Sequence, residues 1–260
     1  MPHPIVLTSG NSPVVQGNFA QALGDYTTLS TVSSMPSGGS ISRAGNAMLY
    51  DSTGKLTYAP NNLLLNTATL STQNVTTSAI NYILSFSGTG SVTLSGTYSG
   101  TLNGTGVSNR VYLAFTATAG TLTATVSGSV TSAQLEAVTY QTTPSTYVAT
   151  TSAAYYGPRF DYNPSTLAAK GLLIEGSRTN VVLYSNDLTN AAWTKTNITA
   201  ALNQTGADGV ANSASSITAS AANGTVLQSI TLASSQRIQS ALVKRITGTG
   251  VINMTTDGGT

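Results

Sequence analysis

The run VYLAFTATAGTLTATV, residues 111–126, decides the fold class. Val111, Leu113 and Phe115 alternate with Tyr112, Ala114 and Thr116, and Leu122, Ala124 and Val126 alternate with threonine. Side chains two apart share one side of a strand, so each half has one buried face and one wet face. Threonine suits the wet face because its branched Cβ favours the pleat. The pattern spreads outward. Residues 81–87 read as a strand, and Val92 and Leu94 alternate with serine and threonine. Gly88-Thr89-Gly90 and Gly104-Thr105-Gly106 supply turns. They lack the lysine and following helix of a phosphate loop. Short strands at regular spacing predict an all-β chain of tandem antiparallel β-sandwich (jelly-roll) modules. Ahead of them, Met48-Leu49-Tyr50 and Lys55-Leu56-Thr57-Tyr58 flank Asp51-Ser52-Thr53-Gly54, a loop that fits a type I turn closed by a glycine.

Composition narrows the function classes. The chain has 260 residues, 40% hydrophobic but only 7% charged, against roughly 25% charged in ordinary soluble domains. Its polar surface must be hydroxyl, amide and backbone, as in fibrous, adhesive or virion-surface proteins. The formal charge of +2 is spread thinly, so nucleic acid is not an expected partner. No run approaches the roughly 18 apolar residues of a membrane span, and no membrane partner is expected. There is no cysteine and one histidine, His3, which leaves no thiolate or His-rich metal site. The start, MPHPIVLTSG, lacks the basic and apolar regions of an export signal. An extracellular-looking chain without one points to synthesis in a host cytoplasm and release by lysis.

Four regions follow. Residues 1–45, interrupted by Pro2, Pro4, Pro13 and Pro36, form an extended N-terminal attachment arm with a short apolar face at Val14, Val15, Phe19 and Leu23. Residues 46–148 hold the leading hairpin and first sandwich. Residues 149–179 are an aromatic-rich connector with Tyr155, Tyr156, Phe160 and Tyr162, and Leu172-Leu173-Ile174 read there as a short buried strand. Residues 180–260 hold a second sandwich, with strand seeds at Val226-Leu227, Ile230, Leu232, Leu242-Val243 and Val251-Ile252. Residues 62–71, NLLLNTATLS, align without gaps on 180–189, NVVLYSNDLT, which makes the two regions copies of one module. The first copy closes with Ala133-Gln134-Leu135-Glu136 and Thr143-Pro144-Ser145-Thr146-Tyr147; the second shows no such ending. The second sandwich is therefore expected to be incomplete, finished by further chain or by a neighbouring subunit.

The run GLLIEGSRTNVVLYSNDLTNAAWTK, residues 171–195, resembles a module of tailed-bacteriophage surface proteins. In that family it precedes a jelly-roll sandwich similar to carbohydrate-binding modules, and the AQLE…Thr-Pro…Tyr ending looks like the last strand of the same modules. The first copy departs from the pattern: Pro60-Asn61 precede Asn62 where Arg178-Thr179 precede Asn180, and no tryptophan follows. The resemblance implies a virion head spike or fibre, or else a tail fibre. Its partners would be capsid or tail proteins through the arm, a homotrimer with itself, and host cell-surface glycans. It brings no catalytic residue set that maps onto this chain, and no cofactor is expected.

Individual residues agree with a non-enzymatic reading. A Ser/His/Asp triad would have to use His3 in a proline-flanked terminus. Asp161 and Glu175 read as turn and strand-end carboxylates rather than a glycosidase pair, with Arg178 pairing Glu175 or Asp187. Asp208-Gly209 and Asp257-Gly258 read as turns before calcium ligands. Trp193 reads as a lid over the core, or as a sugar-stacking face. Tyr155 and Tyr156 read as an inter-subunit contact, or as a sugar platform.

Overall fold

The computed structural model describes residues 40–174, 180–233 and 238–255, with the backbone of Val14–Gln16. The fold is all-β, in several small sheets, with no helix among the described residues. The chain divides into two units, Met1–Arg178 and Thr179–Thr260.

In the first unit β1 (Val14–Gln16) pairs antiparallel with β2 (Ser40–Ser42). Then β3 (Met48–Tyr50) and β4 (Leu56–Tyr58) form the expected hairpin. Gly54 closes it at φ 77°, where a glycine escapes the Cβ penalty, and its amide donates to Asp51 O at 2.9 Å. Next come β5 (Asn61–Asn62), β6 (Gln73–Thr77), β7 (Asn81–Gly88), β8 (Ser91–Gly96) and β9 (Gly100–Asn103). They are followed by β10 (Gly106–Thr116), β11 (Gly120–Ser127) and β12 (Val130–Val138). Two sheets result, ordered β10-β7-β12 and β6-β11-β8-β9.

Both sheets feed one buried cluster. Leu84 and Phe86 of β7, Phe115 of β10 and Leu135 of β12 meet Val92 and Leu94 of β8 and Leu122 and Ala124 of β11. Tyr98 stacks on Phe115 with centroids 4.3 Å apart, a geometry worth about 1 kcal/mol beyond area alone. The alternation read in 111–126 sets this arrangement: Phe115, Leu122 and Ala124 are buried, while Val111, Leu113 and Val126 pack against them from the margin. Outward threonines bond across strands, as Thr93 Oγ1 with Thr101 Oγ1 at 3.1 Å and Thr123 Oγ1 to Asn74 Oδ1 at 2.9 Å. Hydroxyl and amide pairs thus stand where charges usually stand.

Consecutive strands β7 and β8 belong to different sheets, so the chain must cross at Gly88–Gly90. A Cβ on Gly88 would lie 2.2 Å from Ser129 O, and one on Gly104 would lie 2.3 Å from Gly88 O. The two Gly-Thr-Gly turns therefore meet backbone to backbone, with the Gly104 amide donating to Gly90 O at 2.8 Å.

Residues 139–154 form no strand; side chains bind them instead. The Val148 amide donates to Gln134 Oε1 at 2.8 Å, and the Ser145 amide to Glu136 Oε2 at 3.1 Å. Arg110 donates from Nη2 to Ser85 Oγ at 2.8 Å. Ser85, Gln134 and Glu136 are buried polar residues, each with a partner, as burial of polar groups demands.

The stretch read as a connector packs, over 149–174, within the first unit. There β13 (Tyr155–Tyr156) pairs with β5, and β14 (Phe160–Tyr162) pairs with β15 (Ala169–Leu172). The strand expected at Leu172–Ile174 is displaced toward the N-terminus. Gly171, at φ 82°, is the buried residue of the strand, and Ile174 is 40% exposed. The pairing ends at Leu172 because its partner Phe160 is the first residue of β14.

In the second unit β16 (Thr194–Thr196) pairs with β19 (Thr225–Leu227), and β17 (Ile198–Gln204) pairs with β18 (Ala214–Ala219). Of the expected seeds only Val226-Leu227 lies in a strand. Ile230, Leu232, Leu242-Val243 and Val251-Ile252 do not, because no described strand pairs with them. None of this unit's described residues is buried, and Ile238, Leu242 and Val251 are 88%, 74% and 84% exposed.

The aligned segments share one turn. The Leu64 amide donates to Asn62 Oδ1 at 3.2 Å, and the Val182 amide to Asn180 Oδ1 at 3.0 Å. Asn66 and Tyr184, at matching positions, adopt φ 51° and 49°. Leu65 is held at both backbone groups by Gln73 (2.9 and 3.0 Å), and Leu183 likewise by Gln228 (2.8 and 2.9 Å).

Candidate functional site

Tyr155 and Tyr156 owe their placement to two buried asparagines. Asn61 Nδ2 donates to Ala59 O and Ala137 O, both at 3.0 Å, and its Oδ1 accepts from the Ala137 amide at 2.8 Å. Asn62 Nδ2 donates to Ala133 O at 3.0 Å and Val148 O at 2.9 Å, while Oδ1 accepts from Leu135 N at 3.2 Å. These amides fix β5 on β12, and β13 pairs with β5. Both tyrosines end half-buried. The Gly157 amide donates to Pro60 O at 2.7 Å, and a Cβ on Gly157 would lie 2.7 Å from Tyr155 Oη.

Beside them stand two arginines that pattern reading passes over. Arg43 Nη2 donates to Gly157 O at 2.6 Å. Arg159 is 7% exposed, and its carbonyl accepts from the Leu173 amide at 2.8 Å. Together with Ile41, Pro158, Leu173 and Ile174 they line a small recess. Burial holds the Arg43 guanidinium below its usual range, and the neighbouring Arg159 charge lowers it further; Tyr155 and Tyr156 act the opposite way. Burial pushes the Tyr155 phenol up, with Arg43 opposing. The signal that could have found them is scarcity: with ten Lys and Arg in 260 residues, each cation drawn inward stands out.

Trp193 belongs to the second unit. It is half-buried, and its Nε1 donates to Tyr184 O at 3.0 Å, which ties it to the turn that begins at Asn180. It is a lid on its own loop, not on a core. Tyr155 and Tyr156 belong to the first unit and Trp193 to the second.

The carboxylates have structural partners. Asp161 Oδ1 accepts from the Tyr50 amide at 2.8 Å, and Oδ2 lies 3.7 Å from Lys170 Nζ. The first ties β14 to the hairpin and the second to β15. Asp208 Oδ1 accepts from the Val210 amide at 3.0 Å and Ser213 Oγ at 2.6 Å within its turn. Asp187 Oδ1 accepts from the Thr189 amide at 3.0 Å. His3, Glu175, Arg178 and Asp257 lie outside the described residues. Among the described residues no three of His, Asp or Glu come together as a metal site, and no helix is long and apolar enough to cross a membrane.

Comparison with protein-family models, curated proteins and solved structures finds no match to this chain.

Proposed function

We propose that the chain is a structural protein of a tailed-bacteriophage virion surface, a homotrimeric head spike or fibre. In this reading the N-terminal segment docks on capsid proteins, and the β units project outward for host attachment. The two sheets around Phe86 would form a jelly-roll-like sandwich. The protein would be made in the host cytoplasm and reach the virion surface before lysis, without catalysis and without binding nucleic acid or membrane.

The observation that carries the reading is the second unit. It holds two-stranded sheets, exposed apolar side chains and no buried residue among those described. A lone pair of strands is marginal in water, and apolar surface of this extent calls for a cover. Copies of the same chain, closed by symmetry, supply one without runaway association. Deleting residues 1–45 and imaging the particles tests the anchor: projections should vanish from one part of the virion, and intact projections would contradict the reading.

A tail fibre or glycan-binding adhesin is the second reading. It is favoured by Tyr155 and Tyr156, half-exposed on the surface beside Arg43, since amphipathic rings and guanidinium forks suit sugars. Binding to a glycan array that is lost on Tyr155→Ala at unchanged melting temperature would support it.

A further inference from the structure

We propose that the recess between Arg43 and Arg159 is an oxyanion site that takes the carboxylate or phosphate of an acidic cell-surface glycan. The proposal rests on the adhesin reading and names its ligand class.

Three observations carry it. First, Arg43 Nε and Nη1 are buried, and among the described residues neither has a hydrogen-bond partner. A guanidinium offers its donors as a planar fork matched to an oxyanion, and buried donors without acceptors are costly. Among the described residues, Nη2 alone is committed, to Gly157 O. Second, a like charge adjoins it: Arg159 lies on the same recess and acts electrostatically on Arg43. An arriving anion would satisfy the Arg43 donors beside that charge. Third, the recess is open and small, with room of about 10 Å³, enough for one oxygen-sized group. It therefore takes one oxygen of the ligand's charged tip, while the sugar ring stays outside. Neutral sugars offer no group that answers a guanidinium fork so well.

The test uses the full chain. Sodium glucuronate, inorganic phosphate and methyl glucoside are titrated by nuclear magnetic resonance at low salt, and melting temperature is recorded for every variant. Glucuronate or phosphate should bind and methyl glucoside should not; which oxyanion binds more tightly identifies the source. Binding should weaken at least about tenfold on Arg43→Gln, the loss expected of a charge-assisted pair, and should fall as salt screens it. The wild-type titration decides the matter even where Arg43→Gln unfolds. No oxyanion binding by the wild type overturns the proposal. So does binding that appears only in Glu175→Gln, because the chain's own carboxylate would then be the occupant. Neutral-glycan binding that Tyr155→Ala abolishes and Arg43→Gln leaves intact overturns the oxyanion site while the adhesin reading stands.

Discussion

Asn62 and Asn180 each accept from the amide two residues on, and Leu65 and Leu183 are each gripped at both backbone groups by a glutamine. The surroundings differ. Asn62 is fully buried, with further bonds to Ala133, Leu135 and Val148, above the core built on Phe86. Asn180 is exposed, and no described residue of its unit is buried. The turn is local chemistry, recoverable from a ten-residue pattern. A core depends on how many strands converge, and the described strands of the second unit gather in pairs. One motif can thus be repeated in a chain without the packing that surrounds it.

Substitutions can break this comparison, the largest in the core. Phe86→Ala should cost about 3–5 kcal/mol by chemical denaturation, whereas Leu202→Ala, at a site 37% exposed, should cost less than about 1 kcal/mol in the isolated chain. Asn62→Ala strands two buried carbonyls and two amides and should cost about 3 kcal/mol, while Asn180→Ala should cost under about 1 kcal/mol. Equal costs for the two asparagines would remove the contrast.

A pH titration sharpens it from the hairpin side. Burial alone would raise the Asp51 carboxyl, but hydrogen bonds from Tyr140, Thr53 and Lys55 outweigh it and hold the carboxyl below its ordinary value. The unfolded chain then binds more protons than the folded one between the depressed value and the ordinary Asp value near 3.9, so stability rises with pH across that window. This contribution should be whole above about pH 5 and drain away as pH falls through the window. Asp51→Asn should flatten that part of the melting-temperature profile. The smallest effect is at Tyr184. A tyrosine at φ 49° sits where asparagine is tolerated better, so Tyr184→Asn should stabilise the second unit by up to about 1 kcal/mol.

Strands with alternating residues were legible in the sequence: Phe115, Leu122 and Ala124 fall inside as the pattern demands. So was the hairpin, because Gly54 and Asp51 carry their own turn chemistry. Leu242-Val243 and Val251-Ile252 were not, since a short apolar pair has β propensity but does not name a partner strand. Leu172–Ile174 misled for a related reason: the partner strand begins at Phe160, opposite Leu172, and three apolar residues do not announce where a partner ends. At the candidate site the tyrosines were visible as an aromatic cluster. Arg43, 114 positions from Gly157, had no pattern to mark it, because a long-range side-chain bond leaves no periodic trace.

Sedimentation velocity of the intact chain across a concentration series tests the central claim most directly. The account predicts a species of three times the 26.4 kDa chain mass, populated by mass action because the second unit is completed by its neighbours. A single chain-mass species at every concentration, with amides of 194–227 as protected from exchange as those of 73–138, would contradict it.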